Sequence, residues 1–186
     1  MPPIHPGRRA LLAPLASLLA LPLLGPGPAR AGHDAPKNAP PEGEGGGAKA
    51  APFGTLDAPT AYEKAKAGEI ILVDIRTPPE WAETGVGEGA LAINMRDPAF
   101  VKALVVLRQR NPEKPIALIC RTGNRSGYVV KTLATQGFPG LVDVSEGMAG
   151  SKAGPGWLKR GLPTYPGTKE EIVKRIEAAF STPPKG

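Results

Sequence analysis

Residues 115–127 read PIALICRTGNRSG, a short apolar run followed by a loop rich in arginine and glycine. The apolar run is typical of a buried strand, and beyond the loop Val129, Val130 and Leu133 recur at the spacing of one helix face. The single cysteine of the chain, Cys120, is therefore predicted at the C-terminal tip of a strand, on a tight loop that leads into a helix. This loop is where we expect the chemistry of the protein.

The residues around Cys120 favour a reactive thiolate and an anion site. Thiolates are stabilised at helix N-termini and beside fixed positive charge, which Arg121 and Arg125 supply. Both arginines also offer paired donors for an oxyanion. Gly123 permits a positive φ, which allows the N–H groups of the loop to converge on the sulfur. Ser126 either donates its hydroxyl near the sulfur or caps the following helix. An inert buried cysteine is the alternative, and the composition of the loop argues against it.

Strands and helices are predicted to alternate along the central part of the chain. The predicted strands are Ile70–Val73, Ala90–Asn94, Ile116–Ile119 and Leu141–Val144. The predicted helices are Thr60–Ala67, Phe100–Arg110 and Ser126–Gln136, with a helical turn at Pro78–Ala82. Such alternation predicts an α/β fold with a mainly parallel sheet that helices cover on both faces. Ligands of such sheets bind beyond the carboxyl ends of the strands, where Cys120 is expected.

Three segments, in chain order, resemble the rhodanese-type sulfurtransferases. Residues 120–126 match the active-site loop pattern C-R-x-G-x-R-S, and residues 73–81 resemble the pattern D-x-R-x-x-x-E-[FYW]. Residues 137–148 resemble the last strand of that family and the Gly-Gly turn after it. The resemblance covers about residues 54–165. It implies a rhodanese-like three-layer sandwich whose central, mainly parallel sheet has about five strands.

The resemblance implies that Cys120 takes a sulfane sulfur from a donor such as thiosulfate, holds it as a persulfide and passes it to a thiophilic acceptor. It assigns substrate binding to the rest of the loop, namely Arg121, Thr122, Gly123, Asn124, Arg125 and Ser126. For Arg125 two orientations are open, one toward the substrate and one toward the loop carbonyls. No cofactor is implied, and the expected partners are a small sulfur-containing anion and a thiol or protein acceptor.

Asp74 and Arg76 follow the first predicted strand and are expected at the same edge of the sheet as Cys120. In one interpretation they form a charged rim that orients the loop. In the other they belong to a structural ion pair, for example of Arg76 with Glu80 or Glu146. We prefer the ion pair.

Two features of the sequence depart from the family pattern. Residues 85–90 lack the histidine of the usual G-H-I-x-G-A motif, whose role in the family is structural. An additional segment, residues 151–156, precedes Trp157 and is rich in glycine and proline. It is predicted to be a loop that reshapes the rim of the pocket.

Loop length separates the candidate reactions. Four residues lie between Cys120 and Arg125, whereas the related tyrosine phosphatases and arsenate reductases have a loop one residue longer. A phosphoryl group needs that additional room, and a single sulfane sulfur fits the shorter loop. Sulfur transfer is therefore favoured over phosphatase or arsenate reductase action. The second hypothesis is a persulfide carrier or sensor that docks on an exported partner through the C-terminal helix and turns over slowly.

Residues 1–31 are predicted to be a cleaved signal peptide. Arg8 and Arg9 precede the apolar stretch Ala10–Leu24, and within Ala29-Arg30-Ala31 the two alanines supply small side chains for cleavage. The apolar stretch falls short of the roughly 20 residues that span a bilayer, and no cysteine directly follows it to carry a lipid. We therefore expect a periplasmic or secreted bacterial protein, exported by the Sec or the twin-arginine route, with no membrane anchor after cleavage.

Three further segments complete the predicted organisation. Residues 32–52 are dense in proline and glycine and are predicted to be a flexible linker. Residues 53–168 are expected to form the rhodanese-like domain, and residues 169–186 a C-terminal helix and tail. The helix is predicted over Thr168–Phe180, with an apolar face that packs back on the domain or on a partner.

Composition argues against other classes of partner. The formal net charge is +6, but the basic residues are scattered and aromatic residues are few, so no nucleic-acid surface is indicated. No metal site is expected, because the two histidines, His5 and His33, lie outside the predicted domain. With one cysteine the chain cannot form an intramolecular disulfide, and in an oxidising compartment the loop favours a thiol that stays reactive.

Overall fold

The computed structural model describes residues 54–181 of the chain. The signal peptide predicted over residues 1–31 and the linker predicted over residues 32–52 lie outside the described residues. Within residues 54–181, no helix is both long enough and apolar enough to cross a bilayer.

A parallel sheet of five strands forms the centre of the fold. Its strands are β1 (Gly54–Leu56), β2 (Ile71–Asp74), β4 (Ala90–Ala92), β5 (Ile116–Ile119) and β6 (Leu141–Val144), in the spatial order β1-β6-β5-β2-β4. A separate antiparallel pair joins β3 (Val86–Gly87) to β7 (Thr164–Tyr165). In the large sheet Asp74 is in register with Ile119, so the segments that follow β2 and β5 leave the sheet at the same edge.

Within residues 54–181, six helices accompany the strands. They are α1 (Ala58–Lys66), α2 (Pro78–Thr84), α3 (Phe100–Arg110), α4 (Asn124–Thr135), α5 (Gly156–Lys159) and α6 (Lys169–Ser181). Two apolar clusters separate the layers. One contains residues of α1 and α5 with one face of the sheet, and the other contains residues of α3 and α4 with the opposite face. The predicted α/β sandwich, with a parallel five-stranded sheet and helices on both faces, is therefore confirmed.

The strongly patterned elements were predicted with accurate bounds, and the ends of others differ for local reasons. α3, β5 and β6 span the predicted residues. α1 begins two residues before the predicted Thr60, because the side chain of Asp57 accepts a hydrogen bond from the Thr60 N–H at 2.8 Å and caps the helix there. α4 begins at Asn124 rather than Ser126, directly after Gly123.

The C-terminal helix α6 packs on the domain, which is one of its two predicted positions. Ile172 and Phe180 contact the two apolar clusters, while Val173 stays 42% exposed. The guanidinium of Arg175 donates to Glu88 at 2.8 Å and lies 3.8 Å from the ring centre of Tyr165. α6 is thus attached by an ion pair and a cation–π contact as well as by apolar packing.

Candidate active site

Cys120 directly follows β5 and is fully buried beneath the first turn of α4. The backbone N–H and the hydroxyl of Ser126 both donate to the Cys120 sulfur, each at 3.4 Å. Gly123 occupies the N-cap of α4 with φ 78°, a conformation that turns the chain sharply enough to aim this first turn at the sulfur. The first turn of α4 therefore directs two hydrogen-bond donors at the Cys120 sulfur. Helix N-termini favour negative charge.

The active-site loop is fixed by backbone contacts to the turn that follows β6. The N–H of Met148 donates to the carbonyl of Cys120, and the N–H of Ala149 donates to the carbonyl of Arg121, both at 2.8 Å. Gly147 has φ 68°, and a Cβ there would come within 2.6 Å of the Arg121 carbonyl oxygen. A side chain at Gly147 would therefore push the two segments apart.

Arg125 forms a two-pronged ion pair with Glu80 in the first turn of α2. Its two terminal nitrogens donate to the two carboxylate oxygens at 2.9 and 2.5 Å. This hydrogen bonding raises the pKa of Arg125. The nearby Cys120 sulfur also contributes to that rise. Arg125 therefore faces an acidic side chain of another helix, a partner that the sequence analysis did not consider.

Glu80 is held ionised by this pairing. Its hydrogen bonds with Arg125 outweigh the effect of burial and, with those from Thr77, lower the pKa of Glu80 to about 2. Thr77 and Glu80 also form the capping box of α2. Sequence reasoning did not assign Glu80 to the site, although it is the glutamate of the quoted D-x-R-x-x-x-E pattern.

The Glu80–Arg125 pair predicts an acid-dependent contribution to stability. Because the pKa of Glu80 is depressed in the folded protein, its contribution is present above the unfolded value of 4.5 and is lost as the pH falls through about 2. We expect Glu80→Gln to lower the free energy of unfolding at about pH 6, and this deficit to shrink steadily toward about pH 2. Urea unfolding at a series of pH values measures it.

A matched control for that experiment is Glu83→Gln, which changes an exposed glutamate of the same helix. We expect Glu83→Gln to follow the wild type across the pH series. If the deficit of Glu80→Gln were the same at low and neutral pH, the carboxylate charge would not be its source.

Asp74 and Arg76 form a buried ion pair, with exposures of 0% and 2%. The Arg76 guanidinium donates to both Asp74 carboxylate oxygens, at 2.7 to 3.0 Å. It also donates to the Thr84 hydroxyl at 2.8 Å and to the Gly85 carbonyl at 2.7 Å. Arg76 therefore joins the end of β2 to the C-terminal end of α2.

The preferred interpretation of Arg76 as part of a structural ion pair agrees with this geometry, but the partners suggested for it were wrong. The Glu80 carboxylate is instead paired with Arg125, as described above. Glu146 accepts from the side chain of Arg160 at 2.6 and 2.8 Å and from the Gly156 N–H at 3.2 Å. Glu146 thus ties the turn after β6 to α5.

Three of the remaining loop residues line a surface cleft. Arg121 and Asn124 are exposed, and Thr122 is half-buried. Thr122, Gly123 and Asn124 line a cleft of about 710 Å³ together with residues 150–153, which include Lys152. The insert predicted as a loop therefore borders the active-site loop, although its last residue, Gly156, already begins α5. Among residues 54–181, no three histidine, cysteine or acidic side chains are grouped so that they could hold a metal ion.

Comparison with known proteins identifies similar sequences and folds. The family model of the Rhodanese-like domain matches residues 57–153. An uncharacterized protein of Rickettsia prowazekii is 26% identical over 101 residues, which cover 50% of this chain and 80% of that protein.

Two solved structures are among those found similar to this chain. The polysulfide-sulfur transferase of Wolinella succinogenes, a homodimer, has 26% sequence identity and a TM-score of 0.47, over 62% of this chain and 80% of that one. A protein of Anabaena sp. has 18% identity and a TM-score of 0.50, over 67% of this chain and 91% of that one. At this identity the second match bears on the fold alone. The family match itself includes Asp74, Arg76, Glu80 and the whole loop from Cys120 to Ser126.

Proposed function

Because this chain belongs to the rhodanese-like family, we propose that it is a sulfurtransferase in which Cys120 carries the transferred sulfur as a persulfide. The observation that carries the proposal is the pair of donors from Ser126 to the Cys120 sulfur. Donors preorganised around a sulfur stabilise the anionic form that the reaction needs, whether thiolate or persulfide.

In the first proposed step, the Cys120 thiolate attacks the outer sulfur of thiosulfate. A new S–S bond forms, the S–S bond of thiosulfate breaks, and sulfite leaves with the bonding electrons. Arg121 is exposed beside Cys120 and supplies positive charge where an anionic donor arrives and an anionic product departs. Arg125 adds a fixed positive charge that interacts with the Cys120 sulfur.

In the second proposed step, a thiophilic acceptor attacks the outer sulfur of the persulfide and releases the Cys120 thiolate. Cyanide serves as acceptor in an assay and leaves as thiocyanate, while a thiol or a protein is the acceptor we propose in the cell. Electrons balance without a further oxidant or reductant. With the export predicted from residues 1–31, the proposed reaction takes place outside the cytoplasm.

The geometry of Arg125 disfavours hydrolysis of phosphate esters and reduction of arsenate. An arginine that binds such an oxyanion uses its paired N–H groups for the oxygens. Both terminal nitrogens of Arg125 donate instead to Glu80. We therefore expect no hydrolysis of a small aryl phosphate, and measurable hydrolysis would revive the phosphatase alternative.

The proposal predicts a covalent change that mass spectrometry detects. After incubation with thiosulfate, we expect the mass of the protein to increase by one sulfur atom, and peptide mapping to place that atom on Cys120. Addition of cyanide should return the original mass and release thiocyanate. Sulfite, which lacks a sulfane sulfur, is the matched control and should leave the mass unchanged. A protein whose mass stays constant with thiosulfate and with polysulfide would contradict the proposal.

A further inference from the structure

The C-terminal helix α6 packs on the domain without burying any of its own residues. Ile176 and Phe180, which face the domain, stay half-buried. They form one wall of a groove of about 520 Å³, and the other walls come from α2, from α3 and from the end of β4 and the segment after it. A volume of this size lies within the range of small-molecule sites in proteins.

The walls of this groove are largely apolar. They include the side chains of Trp81, Ile93, Phe100, Ala103, Ile176 and Phe180. Among the described residues that line the groove, the polar ones are Asn94 and Asp97, and no lysine or arginine is present. The Asp97 carboxylate already accepts a hydrogen bond from the Ala99 N–H at 2.8 Å. An anionic ligand would meet no positive charge here, so the groove favours a neutral molecule.

One hydrogen-bond donor at the groove has no acceptor. Trp81 lines the groove and is 4% exposed. Its indole N–H is buried and donates to no other group among the described residues. The other tryptophan of the chain, Trp157, donates its indole N–H to the Pro163 carbonyl at 2.9 Å. A buried donor without an acceptor is unfavourable, so a ligand that brings an oxygen into the groove would stabilise Trp81.

The groove lies at the same edge of the sheet as Cys120 but is separate from the sulfur site. Ala92, the last residue of β4, lines the groove and is in register with Asp74 on β2. Asp74 is in turn in register with Ile119, which directly precedes Cys120. The strand at the groove is thus two strand spacings, about 10 Å, from the strand that leads to the sulfur. Ligands of parallel sheets bind at this edge.

We propose that this groove binds a neutral, largely apolar small molecule with a carbonyl oxygen, which accepts the hydrogen bond of the Trp81 indole as the ring turns toward it. The apolar walls hold the body of the molecule, and the indole fixes the position of its oxygen. Asp97 disfavours an anionic end. The inference goes beyond sulfur transfer and does not rest on it, because Cys120 takes no part in the groove.

The test compares two compounds of the same shape, benzophenone and diphenylmethane, by calorimetric titration. Only benzophenone has a carbonyl oxygen, and we expect it to bind about three- to tenfold more tightly, which is the effect of one additional hydrogen bond. Benzoylbenzoate, which carries a carboxylate on the same frame, should bind more weakly than benzophenone. Equal affinities of benzophenone and diphenylmethane, or no binding of either compound, would overturn the proposal.

The indole N–H signals in the NMR spectrum report the contact with Trp81 directly. The chain has two tryptophans, and Trp81→Phe assigns the two signals. Benzophenone should move the Trp81 signal downfield, whereas diphenylmethane should not. The Trp157 signal is the internal reference, because that N–H already donates to Pro163. A Trp81 signal that stays in place while benzophenone binds would contradict the assigned hydrogen bond.

Three variants locate the binding in the groove. Ala103→Leu extends a side chain into the groove from α3 and should abolish the binding of both compounds. Val101→Leu, a similar enlargement at a 46% exposed position of the same helix, should leave both affinities unchanged. Trp81→Phe keeps an aromatic wall but removes the N–H, so benzophenone should lose its advantage. Ala103→Leu preserves the test if Trp81→Phe does not fold, and unchanged binding in Ala103→Leu would overturn the proposal.

Two further measurements exclude other sites and other occupants. Benzophenone inserts into nearby C–H bonds when it is illuminated, and we expect the adducts on groove residues of α3 and α6. Adducts confined to another part of the protein would overturn the proposal. So would a dimer in solution that Ala103→Leu converts to a monomer, because a second copy of the chain would then cover the groove. None of these measurements needs a sulfur donor, so a failure of sulfur transfer would appear separately, as a constant mass with thiosulfate.

Discussion

Replacing Cys120 with serine is expected to lower the rate of thiocyanate formation from thiosulfate and cyanide by about three orders of magnitude or more. A serine hydroxyl is not ionised near neutral pH and cannot hold a sulfane sulfur as a persulfide. The site is otherwise unchanged, because the loop is fixed by backbone bonds such as that from the Met148 N–H to the carbonyl of residue 120. The loss should therefore appear as a lower kcat without a lower melting temperature.

The matched control for this prediction is Tyr128→Phe. Tyr128 lies on α4, close in sequence to the loop, but is 69% exposed. We expect this variant to form thiocyanate at the wild-type rate. A Cys120→Ser protein with wild-type turnover would exclude the persulfide mechanism and move the chemistry elsewhere in the molecule.

Replacing Arg76 with methionine is expected to lower the free energy of unfolding by about 3–5 kcal/mol, the range found when one partner of a buried ion pair is removed. The change leaves the Asp74 carboxylate buried and unpaired, since its exposure is 0%. It also removes the donors to the Thr84 hydroxyl and the Gly85 carbonyl. Denaturant unfolding monitored by circular dichroism measures the loss.

Two variants test the assignment of this loss to the ion pair. The double variant Asp74→Asn with Arg76→Met should be more stable than Arg76→Met alone, because the buried charge is then absent. Lys102→Met, which changes an exposed cation on α3, should leave the stability within about 0.5 kcal/mol of the wild type. A loss below about 1 kcal/mol for Arg76→Met would mean that the pair behaves like one on the surface.

The active-site loop was predictable because its determinants are local. β5, the loop and α4 follow one another in the sequence. Gly123, the glycine that turns the chain, belongs to the same short loop as Cys120. The partner of Arg76 was also accessible from sequence, since residues two apart project from the same side of an extended chain, and Asp74 is two residues before Arg76. We instead considered more distant glutamates, and the structure corrects this.

The unpredicted features depend on contacts between distant parts of the chain. Arg125 and Glu80 are 45 residues apart, and nothing in either segment alone specifies their pairing. β1 has three residues, and β3 and β7 have two each, which is too short for an apolar alternation to be recognised. The closeness of Asp143 and Gly127 likewise follows only from the position of α4 over β6.

Because the five strands of the large sheet all run parallel, their N-terminal ends lie at one pole of the domain and their C-terminal ends at the opposite pole. β1 is an edge strand that runs parallel to β6, as does β5, which ends at Ile119, directly before Cys120. Gly54, the first residue of β1, therefore lies at the pole opposite to the reactive sulfur. A surface linkage or fusion made just ahead of Gly54 should leave the sulfur-carrying pole directed outward, available to donors and acceptors from solution.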